Sequence, residues 1–264
     1  MRALALLALG VLSTAAMAED TVRLYAAGSL RAVMTEIGAE FARSGGAKVI
    51  GEFGASGLLR ERIAKGEPAD VFASANMEHP QSLAQAGRSG PVVLFARNRL
   101  CALVAPGVAV TPDALLERML DPKIKLGTST PKADPSGDYA WAVFEKADKL
   151  KPGAFAALSA KALKLTGAPD SPPPPKDRTI YAMLVADRKA DIFLTYCTNA
   201  TLARKEEPAL SIVPLPQDLA VGADYGLTVL DRAAPAAARF ALFVMSVRGQ
   251  EILARHGFSA PALP

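Results

Sequence analysis

Short apolar runs alternate with amphipathic helical patterns along almost the whole chain, and this alternation restricts the fold more than any other feature. "TVRLYAA" (21–27) has the look of a strand, and a helical pattern follows from about Leu30 to Arg43. "KVIGEF" (48–53) is a second strand, "GLLRERIAKG" a helix closed by Gly66, and "ADVFASA" (69–75) a third strand. A β-α-β-α-β order predicts an open, largely parallel sheet with helices on its faces. "LCALVAP" (100–106) leads into a second unit of the same kind. Its strands are "KIKLGTS" and "DIFLTYCT", and its helices "YAWAVFEKADKL" and "TIYAMLVADRKA". "YGLTVL" (225–230) is extended, and "AAARFALFVMSVRGQEILARHG" is read as one closing helix. Two α/β units joined by two crossing segments are the plan of a hinged cleft binder. The first unit is placed at residues 19–100 and 224–264, the second at 101–223. The proline run "DSPPPP" (170–175) is a surface loop or the rim of the cleft and cannot be helix.

The N-terminal 18 residues read as a cleaved secretory signal peptide. Arg2 supplies the positive end, Ala3–Leu12 the apolar stretch, and "AMA" before Glu19 the small-residue cleavage site. That stretch is shorter than the roughly 20 residues a membrane span needs. The expected location is therefore periplasmic. The net charge of +4 is dispersed, without Lys/Arg runs or interleaved aromatics, which argues against nucleic-acid binding. Cys101 and Cys197 are an even pair in an oxidising compartment and are expected to form a disulfide if the fold brings them close enough. No Cys-x-x-Cys spacing exists, and His79 and His256 stand isolated as surface or loop residues, so no metal site and no cofactor are expected.

The strand-to-helix junctions carry the candidate chemistry. "AAGSL" places Ser29 at a helix start, "GASGLL" does the same for Ser56, and "DPSGDYAWAVF" for Ser136; "KDRTIYAML" sets Asp177–Thr179 before another helix. In open α/β sheets ligands bind at these strand ends. A helix N-terminus offers unpaired N–H groups and a partial positive charge, glycine allows close approach, and serine adds a neutral donor. A single serine there is ordinarily an N-cap worth about 1 kcal/mol. Recurrence in successive units points instead to a small oxyanion enclosed by neutral dipoles. A hydrolase is disfavoured, because "GASG" is no nucleophile elbow and neither histidine has an acid partner in sequence. No phosphate-binding G-x-x-x-x-G-K-[ST] loop occurs. A transcriptional sensor would need a DNA-binding helix-turn-helix where the signal peptide stands.

"YAAGSL", "FGASGLLRERIAKGEPADVFASAN", "PSGDYAWAVFEKA" and "ADIFLTYCTNA" together resemble the periplasmic molybdate-binding proteins of the ABC transporter family. The resemblance spans nearly the whole chain beyond the signal peptide. It implies a type II periplasmic binding protein, an α/β fold of two Rossmann-like domains joined by a two-strand hinge, closing on a dehydrated tetrahedral anion. It implies molybdate and its near-isostere tungstate as ligands, a membrane permease and an ATPase as partners, a monomer, and no enzymatic activity. Carried over residue by residue, Ser29, Ser56 and Tyr196 supply hydroxyls and Ser136 a backbone N–H. Arg178 stands where a small apolar residue is usual. It either faces outward or enters as a charged clamp that would favour a different anion. "TSTPKADPSGD" is about two residues longer than the usual form, and Cys197 replaces a common glycine.

Overall fold

The computed structural model describes residues 21–173 and 178–261; the signal-peptide stretch and residues 174–177 of the proline-rich segment, with Asp177, lie outside the described residues. In chain order the first half comprises β1 (Thr21–Ala27), a 3-10 turn (Gly28–Leu30), α1 (Arg31–Arg43), β2 (Lys48–Gly54), α2 (Ser56–Ala64), β3 (Val71–Ser74) and α3 (Glu78–Gln85). The long strand β4 (Val93–Val104) leads to α4 (Leu115–Leu120), β5 (Leu126–Ser129), α5 (Pro135–Leu150), α6 (Ala154–Lys161) and β6 (Leu163–Thr166). Then come α7 (Ile180–Ala186), β7 (Ile192–Tyr196), α8 (Cys197–Glu206) and β8 (Ser211–Pro214). The chain returns through β9 (Gly222–Val229) to α9 (Ala236–Met245) and α10 (Val247–Arg255).

The strands run in the order β2-β1-β3-β9-β4-β7-β5-β6, with β8 also on β4. β1 pairs in parallel with β2 and β3, and β5 in parallel with β6 and β7, so each half keeps the parallel core that βαβ units demand. Between them β4 and β9 run antiparallel. Residues Val93–Arg99 of β4 pair with β9, whereas Leu100–Val104 pair with β7. One strand therefore belongs to both halves, and β4 with β9 forms the two-strand crossing. The sequence reading assigned no strand before Leu100, where Arg97, Asn98 and Arg99 interrupt the apolar pattern, although β4 begins at Val93.

Each half buries one face of its helices. In α1 the residues Val33, Met34, Ile37 and Phe41 follow helical spacing and are all buried. Phe41 meets Phe240 and Phe243 of α9, with ring centroids 5.4 Å apart in both pairs. Burying a side chain of this size contributes about 1.5–3 kcal/mol. In the second half Leu103, Val185 and Phe193 form a separate core beneath α7 and α8. Cys101 on β4 and Cys197 at the start of α8 are bonded, with Cα atoms 4.9 Å apart and a sequence separation of 96. In the chain-entropy account a loop of that size constrains the unfolded chain by about 4–5 kcal/mol.

Two local expectations change. The closing helix is two helices, broken at Ser246, whose backbone is extended and whose Oγ accepts the Gly249 N–H. His79 is no loop residue: it lies in α3, half-buried, with Nε2 unpartnered, and burial pulls its imidazole down to about 4.

Candidate functional site

None of the three candidate serines caps its own helix. Ser29 sits inside the 3-10 turn after β1, and its Oγ lies 3.0 Å from the Tyr225 hydroxyl on β9. Ser56 is the first residue of α2, whose cap position is Ala55. Its buried Oγ accepts the Ala75 N–H at 3.2 Å, beyond the end of β3. At α5 the cap is Asp134, with Pro135 at the first helical position where its missing N–H costs nothing. The Ser136 N–H donates to Asp134 Oδ1 at 3.0 Å, and the fully buried Ser136 Oγ has no partner. Tyr196 ends β7, and its buried hydroxyl is also without a partner in hydrogen-bond geometry. Buried polar groups are nearly always satisfied; among the described residues the Thr128 and Ser129 hydroxyls of β5 are unpartnered as well.

The two halves meet at these same junctions. The Gly57 N–H of α2 donates to the Ala133 carbonyl, one residue before the α5 cap, at 3.0 Å. A Cβ at Gly57 would stand 2.6 Å from the Lys132 carbonyl oxygen and 2.7 Å from that of Ala133. Tyr196 packs edge-on against Tyr225 of β9 at 5.6 Å and against Tyr139 of α5 at 6.2 Å. Asn98 Nδ2 donates to Thr198 Oγ1 at 2.9 Å and lies 3.4 Å from Tyr225 Oη. Ser29, Tyr225, Asn98 and Thr198 thus form a polar chain across the crossing strands. The fold brings Ser29 and Tyr196 together through Tyr225, and Ser56 to the loop that opens α5 and Ser136.

Arg178 goes elsewhere. Its Nη2 pairs with Glu207 Oε1 at 2.8 Å, just past α8, and its neighbour Thr179 caps α7 while donating to Glu206. The clamp arrangement weighed for this arginine is not formed, because the Glu207 carboxylate already satisfies its charge.

The donor set is electrically neutral. Burial raises the Tyr139, Tyr196 and Tyr225 phenols well above their ordinary value, with Asp224 and Glu78 adding to the effect on Tyr139. These hydroxyls keep their protons at any physiological pH. The exception in the neighbourhood is Asp134, pushed up to about 6 by burial, with the Ser136 N–H and the Ser129 hydroxyl pulling the other way. Asp138 is raised too, first by burial, then by Glu78 across the cleft. Among the described residues, no three His, Cys, Asp or Glu side chains gather as a metal cluster.

Sequence reasoning passed over Tyr225, Asn98 and Asp134. Asp134 had a signal, since Asp-Pro is the pattern of a cap followed by a first-turn proline. Tyr225 and Asn98 had none, because their roles come from pairings made across 100 residues or more.

Residues 22–259 match the family model described as bacterial extracellular solute-binding protein. The chain belongs to that family. This solute-binding protein is 37% identical over 207 residues to an uncharacterized protein of Pasteurella multocida, covering 78% of this chain and 86% of the relative. It is 28% identical over 255 residues to the molybdate-binding protein ModA of Mycobacterium tuberculosis, covering 91% and 85% respectively. Among solved structures, the sulfate-binding protein SubI of Mycobacterium tuberculosis superposes with a TM-score of 0.75 at 20% identity, covering 91% of this chain and 87% of that one. These matches establish a type II periplasmic binding protein fold and a substrate-binding protein of the ABC importer type.

Proposed function

We propose that this solute-binding protein captures a tetrahedral oxyanion, molybdate with tungstate as its near-isostere, in the cleft between its two halves. It then presents the closed complex to the permease of an ABC importer, outside the cytoplasmic membrane. The observation that carries this reading is that two buried hydroxyls on the residues assigned by the resemblance, Ser136 Oγ and Tyr196 Oη, have no partner. Leaving a buried donor unmade costs about 1–3 kcal/mol, a penalty that an arriving anion removes. Ser29 and Ser56 belong to the other half, the start of α2 adds its helix dipole, and no arginine or lysine is needed. Contacts from both halves favour the closed form, and only such differential contacts can drive closure. The ModA relative supports molybdate; the structural likeness to SubI makes sulfate the rival.

Thermal melting of the protein against molybdate, tungstate, sulfate, phosphate and a small carboxylate separates these. A ligand at about a hundred times its dissociation constant adds roughly 2.7 kcal/mol. For a chain of this size that raises the midpoint by about 5–10 °C. The expected result is a shift with molybdate and tungstate and none with sulfate. A sulfate-only shift replaces the ligand, and no shift with any of them removes the oxyanion reading.

A further inference from the structure

The first turn of α5 meets the cleft with a carboxylate already on it. Asp134 Oδ1 accepts the Ser136 N–H at 3.0 Å, so the backbone donor that the family resemblance assigns to an incoming anion is taken. The Asp134 main-chain oxygen accepts the Gly137 N–H at 2.8 Å as well. On its other side the carboxyl packs against Gly167, where an added Cβ would stand 2.8 Å from Oδ2. What remains for a ligand on this turn is the unpartnered Ser136 hydroxyl, two residues from the carboxylate.

No cation balances Asp134 among the described residues. Arg178 is committed to Glu207, and Lys132, whose backbone N–H donates to Asp138, brings its charge to bear on Asp138. The titratable groups that bear on Asp134 from the packed elements are Asp138 on α5, Tyr181 on α7 and Tyr196 on β7, with the Ser129 hydroxyl from β5. Glu78 on α3 faces Asp138 in turn. Each of these is negative or neutral. A doubly charged anion placed on the Ser136 hydroxyl would share one enclosed helical turn with a carboxylate, and like charges so placed cannot all persist.

We propose that capture of a fully ionised oxyanion by this protein is coupled to uptake of one proton, taken from solvent by Asp134. Asp134 is thereby a specificity-determining residue that makes affinity depend on pH. The protonated carboxyl keeps its carbonyl oxygen on the Ser136 N–H and no longer sets a negative charge against the anion. The inference rests on the oxyanion reading above and adds the charge state in which the site works. Burial supports it by holding the ligand-free carboxyl up at about 6, so that the proton is readily available near neutrality.

The sign follows from linkage. Binding favours the protonated form, so affinity is level below about pH 6 and falls as the ligand-free carboxyl ionises, by up to about tenfold per pH unit. Isothermal titration of the mature protein with molybdate and with tungstate, at pH 7.5 in buffers of different ionisation enthalpy, counts the protons. Repeating the dissociation constant from pH 6 to 8.5 gives the slope. The expected result is close to one proton taken up per anion and weakening affinity with rising pH. Asp134→Asn, which keeps a good helix cap, should take up none and bind with a flat profile. Tight binding by the unaltered protein without proton exchange overturns the proposal and leaves the oxyanion reading standing. Uptake that persists in Asp134→Asn assigns the proton to another group and overturns it equally. If neither anion binds the unaltered protein, the oxyanion reading itself falls, and the proton linkage with it.

Discussion

Ser29 and Tyr196 each present a hydroxyl at the same junction, yet their energetic positions differ. Ser29 Oγ is hydrogen-bonded to Tyr225 in the ligand-free protein, whereas Tyr196 Oη bonds nothing. Removing a satisfied hydroxyl costs about 1 kcal/mol, and removing an orphaned one costs nothing or relieves its desolvation. Ser29→Ala should therefore lower the ligand-free melting midpoint, while Tyr196→Phe should leave it unchanged or raise it. With molybdate present Tyr196→Phe should lose about 1–3 kcal/mol of binding, roughly 5- to 150-fold. Titration calorimetry alongside melting checks both halves. A Tyr196→Phe protein that binds as tightly as the original would remove this tyrosine from the site.

At the scale of elements, the C-terminal region shows how a single residue divides a helix. From Ala236 to Gly257 the residues keep helical spacing, and periodicity alone reads one element. Ser246 ends α9 by donating its hydroxyl to the Phe243 carbonyl at 2.6 Å, and its Oγ also accepts the Gly249 N–H to begin α10. Gly249 is required there, since a Cβ would stand 2.4 Å from the Phe243 and Val244 carbonyl oxygens. Ser246→Ala should cost about 1 kcal/mol as a lost cap. That corresponds to a midpoint lower by about 2–4 °C. An unchanged midpoint would mean that packing of α9 on Phe41, and not the cap, sets the break.

At the scale of the whole molecule, closure depends on one position with no side chain. Gly57 lets α2 lie directly on the Lys132–Ala133 backbone of the opposite half, and backbone oxygens cannot step aside as a side-chain tip can. Alanine suits the helix itself better than glycine by about 1 kcal/mol. Gly57→Ala gains that propensity but loses the backbone contact to Ala133, so it should hold the halves apart. The molybdate-induced shift should shrink, and small-angle scattering should show a larger radius of gyration with the anion present. A full ligand shift with an unchanged radius would show that the halves can close without this contact. The same scale explains why Asp134 matters: Gly167, after β6, lies against its carboxyl on the α5 turn.

Local periodicity made the alternation of strands and helices legible, because burial of one face imposes its repeat within a few residues. The same reading reached Ser29, Ser56 and Ser136 as junction residues, since a helix start is a local event; Tyr196 came from the family resemblance, and the pairing of Cys101 with Cys197 from count and compartment. It did not reach β4 before Leu100, because a strand shared by two halves shows interrupted apolarity when seen alone. Nor did it reach the Ser29–Tyr225 bond, the Gly57–Ala133 contact, or the choice of Glu207 by Arg178. Each of those joins residues far apart in the chain, and only packing of the two halves decides which partner arrives. By itself the sequence determined the elements and the places where a ligand could be met. The tertiary structure decided which hydroxyls are bonded and which are left unpartnered, because hydrogen-bond satisfaction and burial are properties of neighbours in space.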